Sequence, residues 1–172
     1  LVGWGQQVGL LTPAEAGRLL QAAAQRPADA AATLAQAIDL REAIYRIFSA
    51  IAAGRTPAPA DLALLNGWFA HGLGQLQVTQ KGGSFGWQWH GVAAALEGLL
   101  WPVAHSAAEL LISDELDRVK ECADERGCGW LFLDTSRNRS RRWCSMESCG
   151  NLAKVRRHRR KQVDAEMHGH TQ

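Results

Sequence analysis

Four cysteines, Cys122, Cys128, Cys144 and Cys149, constrain this chain of 172 residues more than any other feature. Five residues separate the first two, fifteen lie between the pairs, and four separate the last two. Two short loops, each supplying two thiolates and brought together across a hairpin-sized gap, are what a tetrahedral zinc ion needs. The first spacer exceeds the usual two to four residues. Two disulfides are the competing use of four cysteines. A chain with 47% hydrophobic residues has core enough without such staples, and no secretion signal is visible. The reading is therefore a reducing, cytoplasmic compartment and one structural zinc per chain, since four thiolates leave no open position for substrate. His158 lies too far along its helix from Cys149 to replace a thiolate. A module of this size, with so few apolar residues, needs its metal in order to fold.

Basic charge gathers in the same stretch. Between residues 137 and 161 stand ten cations, Arg137, Arg139, Arg141, Arg142, Lys154, Arg156, Arg157, Arg159, Arg160 and Lys161, against the single acid Glu147. The net charge of only +2 hides this, because the first 136 residues are acidic on balance. Eight of the ten are arginine, the side chain suited to bidentate phosphate or guanine contacts. A metal-stapled module carrying a basic strip is the footprint of a nucleic-acid binder. The bland alternative is a solvated charged face. Two clusters, 137–142 and 154–161, in one stapled module favour the functional reading, since they can grip phosphates on either side of a groove.

Within the module, Gly127 and Gly129 flank Cys128, where a metal knuckle needs tight backbone turns. Residues 130–133 read as a short apolar strand, Asp134–Ser136 as a turn, and Arg137–Arg142 as a loop or second strand. A short helix over 115–122 is expected to deliver the first thiol. A last helix, from about Asn151 to Lys161, would dock through Leu152 and Val155 and place thiolates near its positive end.

The remainder reads as helical. Thr12-Pro13-Ala14-Glu15 is a capping box that opens a helix running to about Gln25. A second helix should follow Pro27 and end at Gly54, with Leu34, Ile38, Arg41, Ile44 or Tyr45, Ile47 or Phe48, and Ile51 on its core face. A third spans about 60–70. Alternating residues on both sides of Lys81-Gly82-Gly83-Ser84 predict a β-hairpin over 75–90, with Phe85, Trp87 and Trp89 on one face. Trp87 and Trp89 should be buried or line a ligand pocket. Gly82–Gly86 also fits G-x-S-x-G, but a nucleophile elbow needs a helix after the serine, and a strand is expected there. No assembled nucleophile, base or open metal site argues for an enzyme. The apolar run 92–112 reads as a core helix kinked at Pro102 rather than a membrane span, because Glu97 and Glu109 lie within it. His105 on that helix reads as a core or boundary residue. Residues 162–172 read as a flexible tail, in which His168 and His170 would bind metal at most weakly.

The fold class expected is thus mainly α with a small β-hairpin (α+β), plus a small C-terminal zinc-stapled β-hairpin and helix module. The domains divide as 1–113, 114–161 and a tail, 162–172.

The run from Cys128 to Asn151, followed by AKVRRHRR, resembles the CGNR-type zinc finger found at the C-terminus of bacterial transcription regulators. The segments LREAIYRIFSAIAAG, ALLNGWFA, FGWQW and LLWPVAHSAAELL resemble the ABATE-type domain that accompanies it. The resemblance implies DNA binding through the finger, hence nucleoid association, and a small-molecule effector for the first domain. It fixes no effector-binding residues. Ligand sensing and homodimerisation both stay open for that domain. The family's opening LDFxNT-like strand is absent and the chain starts at Leu1, which reads as an N-terminal truncation. The family signature Cys-Gly-Asn-Arg here ends in Leu152, so the role of its arginine is missing or falls to Lys154 or Arg156. The rival reading is a zinc-scaffolded protein- or RNA-interaction module. The two basic clusters lack the interleaved aromatics that stack on single-stranded RNA.

Overall fold

A computed structural model describes residues 1–124 and 126–169, with the side chains of Lys81, Lys161 and residues 163–169 outside the described set. The chain divides into two compact units. The first comprises Leu1–Ile47 and Pro57–Leu116, and the second Phe48–Thr56 and Asp117–Gln172.

The first unit is helical with one hairpin. After α1 (Val2–Gln7), Thr12 caps α2 (Pro13–Gln25): its hydroxyl accepts from the Glu15 amide, and Glu15 reaches back to the Thr12 amide at 2.8 Å. Helix α3 (Pro27–Ala52) closes as expected around Gly54, whose amide bonds the Ile51 carbonyl while Arg55 bonds that of Ala50. Its buried face is the expected one at Ile47 and Phe48 but departs from it toward the N-terminal half. Leu40, Ala43, Ile47 and Phe48 are buried, whereas Leu34 and Ile38 are exposed. Tertiary neighbours thus choose the covered face in the N-terminal half, taking Leu40 and Ala43 and leaving Leu34 and Ile38 in solvent.

Helix α4 (Pro59–Leu73) pairs with α5 (Leu100–Leu111). A Cβ on Gly72 would stand 2.8 Å from the Trp101 Cβ, so only glycine permits this approach. Asp61 of α4 accepts from the Arg46 guanidinium of α3 at 2.6 Å, and that guanidinium holds its carboxyl below the usual carboxylate range. The core joins Leu11, Ala16, Leu19, Val92, Leu99 and Trp101. The long helix expected over 91–112 is shorter: a 3₁₀ turn, Leu96–Leu99, precedes α5. Pro102 then sits in the first turn of α5, where its missing N–H has no partner to lose, and so no kink is required.

Strands β1 (Leu76–Lys81) and β2 (Ser84–Trp89) form the hairpin, pairing Lys81 with Ser84 and Val78 with Trp87. Gly82 and Gly83 both have positive φ, 54° and 87°, the two-residue turn that suits strand twist. A strand follows Ser84, which leaves no nucleophile elbow. The aromatic face is less buried than expected. Trp87 is 67% exposed, while Trp89 is half-buried with its ring edge-on to His105, which is itself half-buried.

In the second unit, β3 (Val119–Glu121) pairs antiparallel with β4 (Leu131–Leu133), and α6 (Asn151–Gly169) ends the described chain. The Ser49 hydroxyl at the end of α3 donates to Glu121 at 2.9 Å. The fold class is as expected: mainly helical, with two small antiparallel strand pairs and a C-terminal cysteine cluster. Among the described residues no helix is long and apolar enough to cross a membrane.

Candidate metal centre and basic surface

The first thiol is delivered by a strand, not by the expected helix. A 3₁₀ turn, Leu116–Arg118, leads into β3, and the Asp134 amide bonds the Arg118 carbonyl at 2.8 Å. The ladder runs on past β3, since the Cys122 amide donates to the Trp130 carbonyl at 2.9 Å. Cys128 lies in the connection between β3 and β4. Gly127 and Gly129 stand at φ 78° and 64°, left-handed conformations that let so short a connection turn Cys128 back toward Cys122.

The second pair comes from the entry to α6. Ser145 caps a wide turn, Met146–Gly150, by accepting from the Ser148 amide, and the Gly150 amide bonds the Ser145 carbonyl at 3.0 Å. Cys149 therefore sits just before Asn151, at the positive end of the helix, as the sequence led us to expect.

All four Sγ atoms lie within 4.8 Å of one another. Cys144 is 3.8 Å from Cys128 and 3.8 Å from Cys149. A tetrahedron of sulfurs about 2.3 Å from a zinc ion has edges of about 3.8 Å, so the spacing fits that ion. The thiol chemistry fits too. Burial, then its bonds to the neighbouring thiols, pushes Cys149 up to about 12, so four thiolates here call for a cation to share them. Burial also opposes ionisation of Cys122, but the amides of Cys144 and Asp124 outweigh it and lower that thiol. Cys122 and Cys149 are buried and Cys128 is exposed, a cluster with an inner and an outer edge.

Asp134, fully buried, ties the arginine loop to this centre. Its carboxylate accepts from Lys120 Nζ at 2.6 Å, from the amide and hydroxyl of Ser136, and from the Arg141 amide at 3.1 Å. The Lys120 ammonium above all, with Ser136, holds that carboxyl well below the usual range. Residues 137–142 consequently form a loop and not a strand.

The ten cations divide by what they touch. Arg139 pairs with Asp117. The guanidinium of Arg141 donates to the carbonyls of Trp143 and Cys144 and lies 4.6 Å over the Phe132 ring. Arg156 donates to Asp124, also bound by Arg126, at 2.9 Å. Arg139 and Arg141 are thus spent inside the module, and Arg156 is committed to Asp124 through one terminal nitrogen. Arg142 is exposed, its guanidinium 5.3 Å over Trp143. Arg137, Lys154, Arg157, Arg159 and Arg160 are exposed and make no hydrogen bond or ion pair among the described residues. The Lys161 side chain lies outside the described residues, as do His168 and His170 as possible ligands.

Two sequence expectations need correction. Leu152 and Val155 do not dock α6, being 42% and 49% exposed; Ala153 and Arg156 are the half-buried positions of that turn. The helix also continues through residues 162–169, expected as tail. Asp124 and Asp134 were missed as candidate residues. Their signal was present: Asp124 stands two residues after the ligand Cys122, and Asp134 three residues before the first arginine of the basic run.

A four-thiol centre in a strand pair and helix defines the second unit as a zinc finger, and the model of the CGNR zinc finger matches residues 118–162. The chain belongs to the ABATE family, described as "Putative stress-induced transcription regulator", whose model matches residues 1–114. No curated protein matches the chain. Both matched families are of regulator and zinc-finger type rather than enzymes, and they support a regulatory, zinc-binding role.

Proposed function

We propose that this chain is a zinc-dependent DNA-binding transcription regulator in which Cys122, Cys128, Cys144 and Cys149 hold the ion. The supporting observation is the division of the arginines. Arg139, Arg141 and Arg156 brace the zinc module, and Arg137, Arg142, Lys154, Arg157, Arg159 and Arg160 keep exposed charge for phosphates. Zinc here is architectural: it fixes the loop 137–142 against the start of α6, so that both clusters belong to one surface. The work is done at the nucleoid, in the cytoplasm.

The first unit would then carry the signal. Trp87 and Trp89 line an open hollow of about 710 Å³ together with Leu10, Glu15, Arg18 and Val92. A wall that combines two indoles with one acid and one base suits a small polar effector. The same unit is the candidate homodimerisation platform.

A mobility-shift titration of the full chain against random-sequence duplex, with and without a strong chelator, tests the proposal. Retarded duplex that is released by chelation is the expected outcome. No retardation at low salt, or preferential capture of single-stranded RNA, would leave only the zinc-scaffold reading.

A further inference from the structure

Beside the zinc knuckle lies a cavity of about 140 Å³, lined by Asp124, Arg142, Trp143, Arg156, Arg157 and Arg160. Four arginines thus share the lining with one carboxylate, and that carboxylate is already committed. Its Oδ1 accepts from Arg156 Nη1 at 2.9 Å and from the backbone and Nε of Arg126; its Oδ2 accepts from Arg126 Nη2 at 3.1 Å. The other terminal nitrogen of Arg156, Nη2, is buried and has no acceptor among the described residues. A buried charged donor left without an acceptor is destabilising, and folded proteins rarely tolerate one. An acceptor entering the cavity would satisfy it.

The dimensions select the acceptor. A cavity of this size accommodates a phosphorus with its four oxygens but not a nucleoside. Arginine forks match phosphate oxygens two at a time, and Arg157 and Arg160 supply exposed forks from the helix. Arg142, held over the Trp143 ring, supplies a further one.

We propose that this cavity is a phosphate seat that takes a single backbone phosphate of bound DNA. The source of that phosphate rests on the DNA-binding reading above; the chemistry is that of a phosphate group, which a free phosphate ester would share. Arg156 then has a double task, one terminal nitrogen on Asp124 and the other on the phosphate. In this way occupation of the seat is coupled to the knuckle that holds Cys122.

Side-chain Nε–H resonances of arginine, followed by NMR in the zinc-loaded full chain, provide the test. Inorganic phosphate at constant ionic strength should shift the Arg142, Arg156, Arg157 and Arg160 signals saturably and leave Arg137 and Arg159 in place. Duplex DNA should move the same four. The R157Q/R160Q double variant, altered only at exposed positions, should lose the phosphate response. It should also lower the slope of log K against log salt by about 0.9, the value of one phosphate, rather than about 1.8 for two separate contacts. If duplex binds but the four signals stay still, the seat is overturned and the DNA reading stands. Should phosphate move them while duplex fails to bind, the seat stands with a free phosphate ester as its source and the DNA reading falls. Uniform small shifts of all arginines, unchanged in the double variant, would overturn the seat outright.

Discussion

The division of the arginines sets the size of the salt effect on DNA binding. Ten independent phosphate contacts would give a slope of log K against log salt near −9, at about −0.9 per contact. With Arg139, Arg141 and Arg156 engaged inside the module, six exposed cations are described. Six separate contacts give about −5.4. If Arg142, Arg157 and Arg160 share one phosphate, four contacts remain and the slope is about −3.6. Between 50 and 200 mM salt the affinity should therefore fall by roughly two to three decades. Fluorescence anisotropy with a labelled duplex and zinc-saturated protein measures this directly. Arg141→Gln discriminates most sharply. Its guanidinium bonds the carbonyls of Trp143 and Cys144 beside a metal ligand, so its loss should leave the slope unchanged and weaken zinc retention. Arg159→Gln should do the reverse, reducing the slope by about one and leaving the metal in place. Equal slope changes in the two variants, or a wild-type slope near −9, would refute the division.

Elemental analysis should find one zinc per chain, and Cys149→Ser should lose it along with the order of residues 117–161 while the far-ultraviolet signal of the first unit persists; loss of all helical signal would show that the units do not fold separately. The Arg46–Asp61 pair gives a pH dependence of known sign. Because the folded carboxyl is depressed, its contribution is present above the unfolded value near 4 and disappears as pH falls through the folded value. The thermal midpoint of wild type should thus exceed that of Asp61→Asn at pH 6, and the gap should close toward pH 2; a gap independent of pH contradicts this. Acrylamide quenching should drop more in Trp87→Phe than in Trp89→Phe, since Trp87 is 67% exposed and Trp89 packs on His105. Equal effects would mean that the hairpin face is covered.

The features legible in the sequence were those fixed by local chemistry. Thr12 and Glu15 announce a capping box, Gly82-Gly83 a tight hairpin turn, and the cysteine spacings a four-thiol cluster; each depends on a few neighbouring residues. What tertiary contacts decide was less legible. On α3 Ile47 and Phe48 are buried as their spacing suggested, but Leu40 and Ala43 are covered in place of Leu34 and Ile38, a choice made by the neighbouring elements and not by the helix's own periodicity. Val119 joined a strand rather than a helix because β4 was there to pair with it. A count of basic residues could not separate Arg141 and Arg156 from Arg157 and Arg160. Side-chain charge is the same in all four, and only the carbonyls of 143 and 144 and the carboxylate of Asp124 distinguish them.

Zinc add-back to metal-stripped protein, with duplex anisotropy recorded at each step, tests the central claim most directly. The account predicts no binding in the metal-free protein and a linear rise that breaks at one equivalent of zinc per chain. Full affinity before any zinc is added, or a metal-loaded protein that leaves duplex free at low salt, would contradict it.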